Sequence, residues 1–371
     1  MTAVVSGHPL WFETDDAQLV PSPEAFAGPL LIPALELGVG VRVDTPLDAQ
    51  WLANTADLLP ILARWWGYGH HHPMTAESVC TEGRTVRGTG LCFTAGVDSF
   101  YSLLHGQHAA DVLVFVHGYD IALDDHRRMD EFARSLRQVA AEYGKRAVIL
   151  RSNLRRHPLC AAVSWQRTHG AALAAAGHLL TGILDTLVIP ASYKYADEIP
   201  WGSNWRTDPL WSSARLRVLH DDAALARRDK IPLIAGEPIL WQHLRVCWEN
   251  RSPTGNCSRC EKCLRTMVSL AICGRLANYA VFDRNVSLPR ALDSLTAVPE
   301  GLLVVWEELA GRDLEPELKA AVVRLVQRSR ERRRRSRLTV YLHRVLERVL
   351  RHRLLDRMRP PLLRLWDRRA E

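Results

Sequence analysis

The period of the hydrophobic positions changes along this chain, and the changes divide it. LLIPALELGVGVRVD (30–44) reads as strand-rich. AQWLANTADLLPILARWWG (49–67) places Leu52, Leu58, Leu59, Ile61, Leu62, Trp65 and Trp66 at helical spacing. From Val86 onward, short apolar runs alternate with longer amphipathic ones. GTGLCF (88–93), DVLVFVHG (111–118), RAVILRSN (146–153) and DTLVIPASY (185–193) predict buried strands. DSFYSLLHG (98–106), residues 124–143 and QRTHGAALAAAGHLLTG (166–182) predict the helices between them, with Met129, Phe132, Leu136 and Val139 on one face of the second. Such alternation implies a parallel, doubly wound sheet covered on both faces. EKCLRTMVSLAICG (261–274) reads as a further helix. The expected organisation is a small N-terminal α+β module over 1–85, an α/β domain over 86–275, a helical subdomain over 276–327, and a basic tail over 328–371.

Charge changes this picture only at the end of the chain. The formal net charge of the 371 residues is +7, but 326–371 hold 16 Arg against 5 Asp and Glu, a net of +11, so the remainder carries −4. RSRERRRRSR (328–337) is a charge run. Beyond it, Leu338, Leu342, Val345, Leu346, Val349, Leu350 and Leu354 recur at helical spacing, with arginines largely between them, up to Pro360-Pro361. A basic amphipathic tail of this kind suits the protein's own body, a partner protein, an anionic membrane surface or nucleic acid. No run approaches 18 apolar residues, and the N-terminus lacks the charged and apolar regions of a secretory signal. With its clustered thiols, the chain is expected in a reducing cytoplasm. The oligomeric state stays open, a homo-oligomer included.

Two segments carry candidate chemistry. Cys247-x9-Cys257-x2-Cys260-x2-Cys263 packs half of the eight cysteines into 17 residues. Two tight C-x2-C steps and one cysteine from a preceding loop supply the four ligands of a tetrahedral zinc site, and the pattern does not suit a disulfide framework. A closed four-sulfur site has no open position for chemistry. The second segment is LCFTAGVDSFYSLL (91–104), in which a buried strand ends and a helix begins after a glycine-containing turn. Free N–H groups at a helix N-terminus suit phosphate. Gly96 permits close backbone approach, Thr94 and Ser99 add hydroxyls, and Asp98 is placed to cap the helix. There is neither a G-x-x-x-x-G-K-[ST] loop nor a complete dinucleotide fingerprint.

Thr94-Ala95-Gly96-Val97-Asp98-Ser99 resembles the S-G-G-x-D-S loop of the PP-loop ATP pyrophosphatases, the adenine-nucleotide α-hydrolase-like superfamily. The downstream cysteines resemble the zinc site of one member, 7-cyano-7-deazaguanine synthase. The two signatures occur in the same order, and the resemblance covers about residues 86–275. Thr94 and Ala95 depart from the pattern, the latter adding a methyl group. The resemblance implies a Rossmann-like sheet and an enzyme that splits ATP into AMP and pyrophosphate with Mg²⁺. It would activate a carboxylate or carbonyl for attack by nitrogen or sulfur. Thr94 to Ser99 would hold the phosphates, with Asp98 and Ser99 serving the reaction, and His117 to Asp120 would lie near the adenosine. Lys194, one of only five lysines, is a candidate to neutralise a phosphate or the acyl-adenylate, with a solvated surface lysine as the alternative. The acyl substrate is expected to be a small molecule or a protein terminus. Further candidates are Asp197 and Asp208 for Mg²⁺ or an amine, His169, Arg228 and Lys230, each with an ordinary structural role as the alternative. A zinc-containing nucleic-acid-binding protein with a degenerate loop is the rival reading.

Overall fold

In a computed structural model, the described residues are 1–335 except 70, 82 and 254. They fall into two compact units, Met1–Asn285 and the unit beginning at Val286. The first is built on a seven-stranded sheet of β1 (Thr2–Val5), β2 (His8–Glu13), β3 (Gly88–Cys92), β4 (Val112–His117), β5 (Arg146–Ser152), β6 (Leu184–Pro190) and β7 (Arg217–Asp221). The strand order is β1-β2-β5-β4-β3-β6-β7. The five strands β3 to β7 are parallel, and β2 joins β5 antiparallel, with Phe12 opposite Ser152. The order runs outward from β3 in one direction through β4 and β5, and in the other through β6 and β7. This is the order of a doubly wound sheet, with the reversal between β3 and β6.

The four expected strands and three expected helices form within three residues of their predicted limits. The helices are α3 (Val97–His105), α4 (His126–Glu142) and α5 (Trp165–Leu179), which follow α1 (Glu24–Leu37) and α2 (Ala49–Trp66). All six residues of β4 are buried, as a strand covered on both faces requires.

The N-terminal region differs from expectation. It is no separate module: β1 and β2 extend the main sheet, and α1 lies against α5. Residues 30–37 continue a helix rather than a strand, although Pro29 and Pro33 lie inside it. This helix is apolar nearly all round because ten of its residues are buried, so it shows no helical period to read. Its partner α5 presents Ala171, Ala172, Ala174, Ala175 and Ala176, all buried, and small side chains let two helices approach closely. Helix α2 is amphipathic as predicted, and the Asp48 carboxylate caps it by accepting the Trp51 N–H at 2.9 Å.

The first unit closes with α6 (Arg227–Ile234) and α7 (Glu261–Ile272) and ends ten residues past the expected boundary at 275. The second unit is helical, as expected, with helices at Leu288–Ser294, Leu303–Ala310 and 316–335. Its last helix contains the start of the arginine run. Arg328 donates to the carbonyls of Leu292 and Leu295, and Arg330 pairs with Glu307 at 2.7 Å. The amphipathic part of the basic tail lies outside the described residues. Among the described residues no helix is long and apolar enough to cross a membrane.

Candidate functional site

A cavity of about 190 Å³ opens at the carboxyl ends of β3, β4 and β6, where the strand order reverses. Side chains and N–H groups of the connecting loops converge there in any open α/β sheet. One wall is the strand–turn–helix joint itself, with Thr94, Asp98 and Ser99. Ser192, just past β6, and Arg227, the first residue of α6, form another. Lys262 reaches in from α7, while Tyr119, Trp165, His169 and Leu173 form an aromatic and aliphatic end.

Asp98 is the centre of the polar end. Arg227 Nε donates to its two oxygens at 3.3 and 3.0 Å, Arg227 Nη2 makes a second, closer bond, and Ser192 Oγ donates at 3.4 Å. Burial alone would raise the Asp98 pKa. The adjacent Arg227, with Lys230 and Lys262 behind it, outweighs burial and holds the carboxyl below its usual range, so it is ionised at neutral pH. Asp98 is therefore not the helix cap expected from the sequence. The N-cap position falls at Gly96, and the carboxylate turns outward to Arg227. Ser99 Oγ donates to the Gly96 carbonyl at 3.0 Å and closes the first turn.

Ala95 has φ +55°, in the left-handed region that glycine occupies without a Cβ penalty. The SGG pattern carries glycine at this position, and here a methyl group is buried in the turn instead. The Ala95 carbonyl accepts the Arg245 N–H at 2.8 Å. That bond ties the loop to the segment leading into the cysteine cluster.

The four cysteines converge. Their sulfurs lie within 4.8 Å of one another, with Cys247–Cys260 and Cys257–Cys263 both at 3.9 Å, and all four residues are buried. A disulfide requires about 2.05 Å. A tetrahedron with Zn–S bonds of about 2.3 Å places its sulfurs about 3.8 Å apart. The spacing thus fits a metal and not a crosslink. Hydrogen bonds from Cys260 and Cys263 hold the Cys247 thiol well below its ordinary range, while the same contacts push those two up. Thiolate ligands give up their protons when a dication binds, so occupancy of such a site depends on pH. Cys260 N–H and Cys263 N–H point at the sulfurs of Cys257 and Cys260, at 3.2 and 3.4 Å. Asn256 joins the two arms: its Oδ1 accepts from Val246 N–H at 2.8 Å and Cys247 N–H at 3.1 Å, and its Nδ2 donates to the Leu244 carbonyl at 2.8 Å. Among the described residues these cysteines are the one group with three or more ligand atoms together. His72, the last of three consecutive histidines at 70–72, bonds Thr55 Oγ1 at 3.1 Å and stands apart from this group.

The cluster sets one side chain in the cavity. Lys262 sits between Cys260 and Cys263, at the start of α7, and lines the space beside Asp98. Burial, with Arg227 nearby, lowers its pKa to about 8, opposed by Asp120 and Asp98.

The structure brings Thr94, Asp98, Ser99, Tyr119, Asp120 and His169 to one cavity. It leaves His117 and Lys194 outside the lining. His117 ends β4 with its Nε2 on the Ala122 carbonyl at 2.9 Å, which makes it a strap for the following turn. Lys194 precedes the short 3₁₀ turn Tyr195–Asp197. Asp208 is fully buried and accepts from Ser203 Oγ and His220 Nδ1, both at 2.7 Å, so it braces the wall, while Asp197 is exposed. Arg228 lies against Asp229 at 4.0 Å. Lys230 is no exposed helix end: it is fully buried, donates to the Ala191 carbonyl at 2.9 Å and sits 5.1 Å from the Tyr101 ring centre. Arg227, Ser192 and Lys262 were not singled out from the sequence. Only the rarity of lysine, five in 371 residues, pointed toward Lys262, and it pointed equally to Lys194.

Comparison with protein-family models, with curated proteins and with solved structures finds no match.

Proposed function

We propose that this chain is an ATP-dependent adenylating enzyme of the PP-loop kind, with a structural zinc in the four-cysteine site. A carboxylate or carbonyl oxygen attacks the α-phosphorus of ATP, the bond to pyrophosphate breaks, and a nucleophile then displaces AMP from the activated carbon. The observation that carries the reading is the convergence on one cavity of the TAGVDS turn, the N-terminus of α3, Arg227 and Lys262. Pyrophosphate leaves as a multiply charged anion, and fixed cations with helix N–H groups are the means of stabilising that charge. The backbone from Thr94 to Ser99 would hold the phosphates. Arg227 and Lys262 would offset charge as it moves to the leaving group. Mg²⁺, when bound with ATP, supplies further neutralisation of the phosphates, and Asp98 and Asp120 are the carboxylates nearest to hand.

Zinc fits as the structural ion because four sulfurs fill its coordination sphere and leave no place for a substrate. Its part in the reaction is indirect, through the position of Lys262. The test is carboxylate-dependent exchange of labelled pyrophosphate into ATP with Mg²⁺, run over a panel of small carboxylic acids and peptide C-termini. Exchange with at least one acid, lost in Asp98→Asn, is the expected result. Absence of both exchange and ATP binding from the metal-loaded protein would overturn the reading.

A further inference from the structure

We infer that His169 is the proton acceptor for an incoming amine, and hence that the nucleophile of this site is nitrogen rather than a protein-bound sulfur. The inference rests on the adenylation reading and names a role that reading leaves open. His169 is on the first turns of α5 and lines the cavity at its aromatic end. Its Nδ1 lies 3.1 Å from the Trp165 carbonyl, which can only accept, so Nδ1 carries the proton. Nε2 is then left as the unprotonated acceptor of the ring. The ring is held from several sides. Trp201 meets it edge-on at 5.5 Å between centres, and Trp165 lies at 6.1 Å. The 201–204 loop presses on it so closely that a Cβ on Gly202 would fall 2.7 Å from Nδ1, and one on Gly170 would fall 2.0 Å from the Gly202 carbonyl. Glycine is required at both positions, and the result is an imidazole with one orientation.

Burial pushes the His169 pKa down, while Asp208 and Asp120 oppose the shift from two sides. A neutral ring near physiological pH is the form a general base needs. The other candidate chemistry lacks its group. Cys92 is the one thiol lining the cavity, and burial, reinforced by Asp208, raises it far above the ordinary thiol range. A sulfur relay would require the thiolate. Asp120 is exposed and also lines the cavity, so it presents a carboxylate to an arriving ammonium group.

The step balances without a further reagent. The amine nitrogen bonds to the acyl carbon, the bond from that carbon to the AMP oxygen breaks, and AMP leaves with the electron pair. An amine that arrives as ammonium releases one proton to water before it attacks, and the second surplus proton, on the nitrogen of the adduct, passes to His169 Nε2 and later to water.

The experiment compares wild type with His169→Gln, using the carboxylate that supports exchange best, and ammonium or hydroxylamine as nucleophile. The cationic adduct of hydroxylamine is far more acidic and sheds its proton to water unaided. The ratio of ammonium-dependent amide formation to pyrophosphate exchange is expected to fall about 100-fold or more, with a much smaller fall for hydroxylamine. Equal losses with both nucleophiles, or no loss, would overturn the role of His169 while leaving adenylation standing. Absence of exchange in wild type would instead overturn adenylation. Nitrogen-15 spectra of histidine-labelled full-length protein, assigned by the His169→Gln difference, test the tautomer independently. A proton on Nδ1 is expected, and one on Nε2 at neutral pH excludes the ring as base whatever the kinetics.

Discussion

The turn Thr94–Ser99 and the segment Cys247–Cys263 serve the same cavity by opposite means. The turn is placed by the sheet. It follows the central strand β3, and its geometry is enforced by buried neighbours such as Phe93 and Phe100, whose rings meet edge-on at 5.0 Å between centres. The cysteine segment has no strand to place it. It crosses from the short helix Pro238–His243 to α7 with little regular structure, and four sulfurs and Asn256 hold it. The first region takes its order from packing, the second from ligand chemistry. They meet at the Arg245–Ala95 backbone bond and at the cavity, where Asp98 comes from one and Lys262 from the other.

If the comparison is right, removing a ligand should damage the second region most. Cys260→Ser is expected to lower metal content from one ion per chain and to cost on the order of 4 kcal/mol in stability. Metal analysis with denaturant titration measures both, and a metal-free variant of full stability would break the distinction. Next in size is Asp98→Asn, which leaves Arg227 unpaired. Breaking a buried pair costs about 3–5 kcal/mol, and the lower end applies because the Arg227 side chain is 26% exposed. The same carboxylate sets an acid limit. Its folded pKa is depressed, so its contribution is complete above the unfolded value of about 3.9 and is lost as pH falls through the folded value. Stability of wild type should therefore fall below about pH 4 more steeply than that of Asp98→Asn. The smallest effect is expected from Ala95→Gly. Relief of the left-handed conformation gains about 1 kcal/mol, and the greater freedom of glycine in the unfolded chain offsets most of it. A loss above about 1 kcal/mol by thermal melting would show that the methyl group packs productively.

The same contrast explains what could be read from the sequence. The turn was legible because strand–helix alternation fixes both its chemistry and its place at a carboxyl edge. The cysteines were legible as ligands from spacing alone. Their cargo was not: Lys262 reads as a spacer residue until α7 gives it a direction. Arg227 and Arg228 are neighbours in an arginine-rich chain, and only the phase of α6 decides which one meets Asp98. The strand β2 pairs with β5 across some 140 residues of sequence, as Phe12 does with Ser152, and β1 joins the sheet only through β2, which local pattern cannot show. Helix α1 escaped because it is buried nearly all round and contains two prolines, so both the period and the breaker rule misled. The strand β7, RVLHD, is too short and too polar to stand out.

The central claim is that Lys262, held by the cysteine cluster, and the sheet-held turn Thr94–Ser99 form one site for the phosphates of ATP. Calorimetric titration of Mg·ATP into wild type and Lys262→Met, each carrying one metal ion per chain, tests it directly. The account predicts that wild type binds one ATP per chain and that the variant, with its metal retained, binds at least about tenfold more weakly, as loss of one charge-assisted contact entails. Equal affinity in the two proteins, or no ATP binding by wild type, would contradict it.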